Sequence, residues 1–196
     1  MNNAVDAPAR PRGRPRGNPP TRASLVVAAR ALFLERGYRA TTLRAVAASA
    51  GVDPALISYH FGSKKGLFAE VMQVGCAEAL AVDEVLGGDP ATLPGRLIDA
   101  VTGLWEDAEF RRLATWGEAA DEAVRDYLEQ ELLERLVEFL GGPDATARAT
   151  AVVTVLGGII YTRYLNPLPT PAALTPAETR AALTPAVRAA LAPRRR

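Results

Sequence analysis

The side chains able to do polar chemistry gather in the first third of this chain. A single histidine, His60, follows Ser58 and Tyr59, and Thr41 and Thr42 stand just before Arg44. Lys64 and Lys65 follow Ser63, and Arg12, Arg14 and Arg16 alternate with glycine and proline near the N-terminus. Hydroxyls, a phenol, an imidazole and cations are the donors that contact phosphate oxygens and base edges. The same set is poor material for catalysis, which would have to rest on scattered acids once His60 is spent elsewhere, so no enzyme is expected. A lone cysteine, Cys76, excludes an internal disulfide. One Cys and one His leave little for zinc, and neither metal nor cofactor is expected. Cys76 itself reads as a packing residue, with redox sensing as the alternative.

The net charge of +1 conceals a polarised chain. Residues 1 to 70 carry eleven Lys/Arg against four Asp/Glu, whereas residues 71 to 196 carry twelve against eighteen. A basic segment attracts a polyanion, and an acidic remainder turns that segment toward the phosphates. Charge alone would also admit an anionic membrane surface. However, no apolar run reaches the roughly 18 residues of a membrane-spanning helix, and the basic, proline-rich N-terminus lacks the apolar centre of a signal peptide. A cytoplasmic protein without a membrane partner is expected.

Placing these side chains requires short helices with firm ends. Residues 1 to 20, with Pro8, Pro11, Pro15, Pro19 and Pro20 among arginines and glycines, have little to bury and read as a disordered basic arm. Leu25, Ala28, Ala29, Leu32 and Phe33 then mark one face of a helix that should stop at Gly37. A second helix should start after Thr41-Thr42 and end at Gly51, and a third should open at Asp53-Pro54 and run to Phe61. Gly62-Ser63 should end the third and cap a fourth, which the pattern carries toward Gly87-Gly88 as a bridge between two halves.

Beyond the bridge the pattern is helical throughout, with segments from Pro94 to Trp105, Ala108 to Trp116, Glu118 to Leu140 and Ala145 to Asn166. Ala151 to Ile160 is apolar or small almost all round, so its helix should be buried on most sides. Asp144 should cap it. Thr175 to Glu178 is a capping box for a terminal helix, and the repeated Ala-Ala-Leu-Thr-Pro-Ala at 172 to 177 and 181 to 186 reads as repeated capping chemistry. The expectation is an all-α chain: an arm at 1–20, a three-helix helix-turn-helix domain at 21–70, and a helical regulatory and dimerisation domain at 71–196.

Two short helices joined by a glycine turn form the arrangement that inserts a recognition helix into the major groove. The runs Thr41-Thr42-Leu43-Arg44-Ala45-Val46-Ala47, Ala50-Gly51-Val52-Asp53-Pro54-Ala55-Leu56-Ile57-Ser58-Tyr59-His60-Phe61 and Ser63-Lys64-Lys65-Gly66-Leu67-Phe68 resemble the DNA-binding domain of the tetracycline-repressor (TetR) family. The likeness spans residues 21 to 70, including Ala31-Leu32-Phe33 and Gly37-Tyr38. Asp53 departs from the serine or threonine often found there, and a carboxylate repels phosphate. Under this resemblance Thr41, Thr42 and Arg44 contact phosphate at a helix start, Ala55, Ser58, Tyr59 and His60 lie near the groove, and Lys64 clamps the backbone beyond. Leu56 could also face the groove, with Ile57 and Phe61 inward. Taken singly, the threonines could be caps only, and Tyr59 and His60 half-buried packing residues.

The arm's Arg12-Gly13-Arg14-Pro15-Arg16 resembles an AT-hook, whose arginines fit the narrow minor groove of A·T-rich DNA. The plainer alternative is a solubilising tail. Because one recognition helix reads few bases, a homodimer on a palindromic operator is expected, with 118–140 and 145–166 as candidate interface helices and Gly157 and Gly158 allowing close approach. The family resemblance implies an unknown small-molecule effector that shifts the bridging helix and releases DNA. Trp105, Phe110, Trp116, Tyr127 and Tyr161 are candidates to line its cavity, with ordinary core packing as the alternative. An architectural protein working through its arm, or an activator of the same family, remains the alternative function.

Overall fold

A computed structural model describes residues 22–115 and 117–193, without the side chains of Glu78, Ala79 and Glu118. The arm with Arg12, Arg14 and Arg16, and Trp116, lie outside the described residues. All regular structure among the described residues is helical.

Helix α1 (Arg22–Ala40) buries Leu25, Val26, Ala29, Leu32 and Phe33 at the spacing of one helical face. It bends at Gly37 (φ 82°) instead of stopping there, and a last turn runs on to Ala40. Helix α2 (Leu43–Ala50) begins where the Thr42 hydroxyl accepts from the Ala45 N–H and ends at the left-handed Gly51. Helix α3 (Pro54–Phe61) is capped by Asp53 and starts on proline, whose missing N–H costs nothing at that position. Helix α4 (Lys64–Leu80) is capped by Ser63. Phe33 and Tyr38 meet the ring of Phe68 edge-on at 5.1 and 5.0 Å, fastening α1 to α4. The α3 and α4 backbones touch at Gly66, where a Cβ would sit 2.2 Å from the Phe61 carbonyl oxygen.

The bridge does not continue to Gly87. Helix α4 stops at Leu80, Ala81 takes the left-handed conformation (φ 36°, ψ 54°), and α5 (Val82–Gly87) sets off anew. Leu80 and Leu86 are both buried. On one continuous helix they would point about 120° apart, on different faces, and the break is what brings both into the core. The pattern of apolar residues gave no sign of it because alanine is a strong helix former.

Helix α6 (Leu93–Glu106) runs through the middle of the regulatory part, burying Leu97, Ile98, Val101, Leu104 and Trp105. Helix α7 (Ala108–Ala114) is capped by Asp107, and α8 (Glu118–Tyr127) passes through a π-helical segment, Leu128–Leu133, into α9 (Glu134–Leu140). Helix α10 (Ala145–Ile160) widens into a second π segment, Tyr161–Leu165. A short α11 (Pro169–Ala173) leads to α12 (Pro176–Leu191), which packs on α6 and α10.

Three local expectations are corrected. Asp144 does not cap α10; its carboxylate accepts instead from Arg148 Nε at 3.1 Å. Thr175 and Glu178 do form the capping box, but the second Thr-Pro pair lies inside α12, where the Thr184 hydroxyl donates to the Arg180 carbonyl. Residues 145–165 form one helix long and apolar enough to cross a membrane by length and composition. Arg148 and Arg163 lie within it, both hydrogen-bonded inside the protein. One stripe of that helix stays open, with Thr146, Thr150, Thr154, Gly158 and Tyr161 exposed along it, while the other residues of Ala145–Ile160 are buried or half-buried.

Candidate nucleic-acid interface and regulatory recess

The caps that begin α2 and α3 present the polar residues of the helix-turn-helix on one surface. Thr42 and Arg44 are exposed at the start of α2, where unpaired amides favour an anion. On α3, Ile57 is fully buried and Leu56 and Phe61 are half-buried, which leaves Ala55, Ser58 and Tyr59 outward. Tyr59 is 83% exposed, with His60 edge-on to its ring at 5.3 Å. An exposed tyrosine of that size on an eight-residue helix contributes little to stability, so its phenol is available to a partner. The Asp53 carboxylate accepts from the Ala55 N–H at 2.7 Å, so its presence in place of a hydroxyl is met by a capping role.

Two of the expected DNA contacts are placed differently. Thr41 is buried, and its hydroxyl donates to the carbonyls of Leu32 and Gly37, tying α1 across its bend. It presents nothing to a phosphate. Lys64 is half-buried; its ammonium donates to the Thr41 carbonyl at 2.9 Å and the Arg39 carbonyl at 3.3 Å, over the ring of Tyr38. Only one of its three donors is left for anything outside. Lys65 pairs with Glu122 of α8. Arg39, exposed in the last turn of α1, is a basic residue on this side of the domain that the sequence did not single out.

The helix-turn-helix and the regulatory part meet around a recess of about 220 Å³. Arg30 of α1 and Val71, Met72 and Gly75 of α4 form one side, and Leu104, Asp107, Phe110 and Leu113 the other. Of the four described aromatics proposed to line a cavity, Phe110 alone is on this wall. Trp105 is buried behind it, edge-on to Phe110 at 5.3 Å and stacked on Tyr164 at 5.6 Å. Tyr127 borders a separate recess, and Tyr161 is 55% exposed on the outside of α10, accepting from Asn166. Aromatic content misled here because most large rings go to the core. The better signal was the i, i+1, i+4 spacing of Val71, Met72 and Gly75 on a helix shared by both halves.

Burial pushes the Cys76 thiol up to about 12, which marks it as inert packing. Glu106 is held below the usual carboxylate range by hydrogen bonds from Arg163 and Tyr164, against some opposing burial. That cluster anchors the proline-rich connection, since Arg163 also donates to the carbonyls of Pro171 and Leu174.

Residues 25–71 match the family described as bacterial regulatory proteins, tetR family, and residues 91–191 match the tetracyclin repressor-like C-terminal domain. The HTH-type transcriptional regulatory protein RaaS of Mycobacterium tuberculosis is 30% identical over 151 residues, covering 67% of this chain and 68% of RaaS. A TetR-family regulator from Streptomyces coelicolor superposes with a TM-score of 0.66 at 28% identity, over 91% of this chain and 98% of that one. NalD, the secondary repressor of the MexAB-OprM multidrug efflux pump in Pseudomonas aeruginosa, shares the fold with a TM-score of 0.55 at 23% identity, over 85% and 94%. With family matches in both halves, the chain belongs to the TetR family of bacterial transcriptional regulators and is a DNA-binding regulator.

Proposed function

We propose that this regulator is a repressor which binds a palindromic operator as a homodimer and lets go when a small molecule fills the junction recess. The observation that carries the DNA half is the outward Tyr59, flanked by exposed Ala55 and Ser58 on a helix whose other face is anchored by Ile57. His60, Thr42 and Arg44 complete the surface, with His60 reading a base edge or phosphate and the α2 amides seating the backbone. Arg12, Arg14 and Arg16 would add minor-groove contacts from the arm. The protein would act in the cytoplasm, with the DNA.

For the dimer, the outer faces of the helices favour α10 with α12 over the stretch from 118 to 140. Exposed positions on the latter include Asp121, Arg125, Asp126, Glu129, Glu134 and Glu138, a poor surface to desolvate against itself. On α10 the hydroxyls of Thr150, Thr154 and Thr162 donate to carbonyls of their own helix, leaving methyls and Gly158 outward. Exposed Ala182, Ala186 and Ala189 continue a low-relief surface on α12. Two such pairs would close a four-helix bundle.

Release follows from where the recess lies. A ligand between Met72 and Phe110 touches both the helix that carries α3 on its Gly66 contact and the helices of the regulatory part. If it prefers one placement of α4, it shifts the separation of two recognition helices; coupling of about 1–3 kcal/mol changes operator affinity roughly 5- to 150-fold. Selection from random duplexes tests the reading. Recovery of an inverted repeat supports a dimeric reader, whereas recovery of A·T-rich tracts alone would leave only the arm.

A further inference from the structure

A second recess, of about 280 Å³, opens on the other side of α4, at the break between α4 and α5. Its apolar wall is Ala77, Ala81, Val82 and the ring of Tyr127, and its rim carries Asp83, Glu84, Glu131 and Arg135. Tyr127 is only 4% exposed, and its hydroxyl has no hydrogen-bond partner among the described residues. Leaving a buried hydroxyl unpaired is costly, and native structures rarely tolerate it without a use. Burial is the main influence on this hydroxyl, and the titratable groups that face it are the neutral Cys76 thiol on the core side and Glu131 and Arg135 on the recess side. The rim is unbalanced. Its three carboxylates face one guanidinium, which pairs with Asp83 and lies 3.4 Å from Glu131.

An anion would meet this excess of carboxylates, and a neutral apolar molecule would leave the hydroxyl unpaired. Among the described residues no group of three His, Cys, Asp or Glu is placed to hold a metal ion. A cation with an apolar body and an N–H to donate answers the carboxylate excess, the unpaired hydroxyl and the apolar wall together. We propose that the recess is a binding site for a small organic ammonium compound, whose N–H groups donate to Glu131 and to the Tyr127 oxygen while its hydrocarbon part covers Ala77, Ala81 and Val82. The site includes both sides of the left-handed turn at Ala81, so occupancy would fasten α5 to the π segment after α8. It is separate from the junction recess, and its test needs no operator.

The experiment is calorimetric titration of the full-length protein, free of DNA, with three probes that share one ring and differ in charge: benzylammonium, benzyl alcohol and benzoate. Benzylammonium is expected to bind and the other two are not. Glu131→Gln should weaken it about tenfold, the loss of one charge-assisted hydrogen bond. Tyr127→Phe should weaken it too, while raising the melting temperature by roughly 2–4 °C because an unpaired buried hydroxyl has been removed. That opposite movement of stability and affinity is not what a merely structural tyrosine would give. Binding of all three probes alike, failure of benzylammonium to bind, or unchanged benzylammonium affinity in Glu131→Gln would overturn the assignment. So would a Tyr127→Phe protein that melts lower.

Discussion

Arg30 of α1 donates to Glu109 of α7 at 2.9 Å, a contact between the DNA-binding helices and the regulatory part at the mouth of the junction recess. Both side chains are substantially solvated, so the pair contributes no more than about 1 kcal/mol to stability. Its placement matters more than its strength. Glu109→Ala should leave the melting temperature within a few degrees and operator affinity nearly unchanged, yet reduce effector-induced release. Gel shifts with and without effector read the difference, and an unaltered response would detach this contact from signalling.

Gly75 offers a direct way to fill the recess. It lines the wall, and a Cβ there meets nothing within 4 Å. Gly75→Leu should fold at least as well as the parent, since leucine gains roughly 0.8 kcal/mol over glycine in a helix. The filled protein is expected to hold operator and ignore effector. Retained release would place the effector elsewhere.

The neighbouring threonines should separate cleanly. Thr41→Val removes the hydroxyl shared by the Leu32 and Gly37 carbonyls, costs about 1–3 kcal/mol in denaturant unfolding, and leaves the operator affinity of the folded fraction unchanged. Thr42→Ala should cost about 1 kcal/mol as a lost cap and also weaken operator binding. Tyr59→Ala should abolish operator shifts with no loss of stability or dimer, as checked by melting and sedimentation.

Ala81 is the only non-glycine residue with positive φ among the described residues. Ala81→Gly relieves roughly 1–2 kcal/mol of left-handed strain against up to about 1 kcal/mol of added unfolded-state entropy. A small net gain in the unfolding free energy is expected. A loss would mean that the break is not a stable feature of the folded protein.

Cys76 should resist alkylation at pH 8 until the protein unfolds, because lifting its thiol from 9.0 to about 12 cuts the thiolate fraction about a thousandfold. The raised value also sets a sign for stability. The folded form keeps its proton longer than the unfolded one, so this contribution is intact below pH 9 and is lost as pH climbs through 9 to 12. Mass spectrometry after brief iodoacetamide treatment checks the first part, and Cys76→Ser should flatten the alkaline decline.

Several helix starts were legible because a side chain dictates them: Thr42, Asp53, Ser63 and Thr175 all cap where the pattern put them. Ile57 inward and Tyr59 outward followed from the same short pattern. What could not be read were features set by distant packing. The break at Ala81 answers to Leu80 and Leu86 sharing a core, and Thr41 turns inward because α1 bends at Gly37 beneath it. For the helix from 145 to 166 the sequence offered both burial and a dimer interface, because apolar content says that a surface needs cover, not whether the same chain supplies it.

Arg148 bears on how the protein is made. Its buried guanidinium is answered by the carbonyls of Leu140 and Gly141 as soon as the α9–α10 hairpin closes, but its bond to Leu191 must wait for α12 to be synthesised. The DNA-binding helices, emerging first with their own aromatic cluster, can fold well before that. A chain truncated ahead of α12 would therefore carry a finished DNA reader on a regulatory part in which Arg148 keeps Asp144 but lacks one carbonyl for a buried N–H. Such a product would be open to proteolysis, and the cell would seldom meet a DNA-binding regulator whose second half is unfinished.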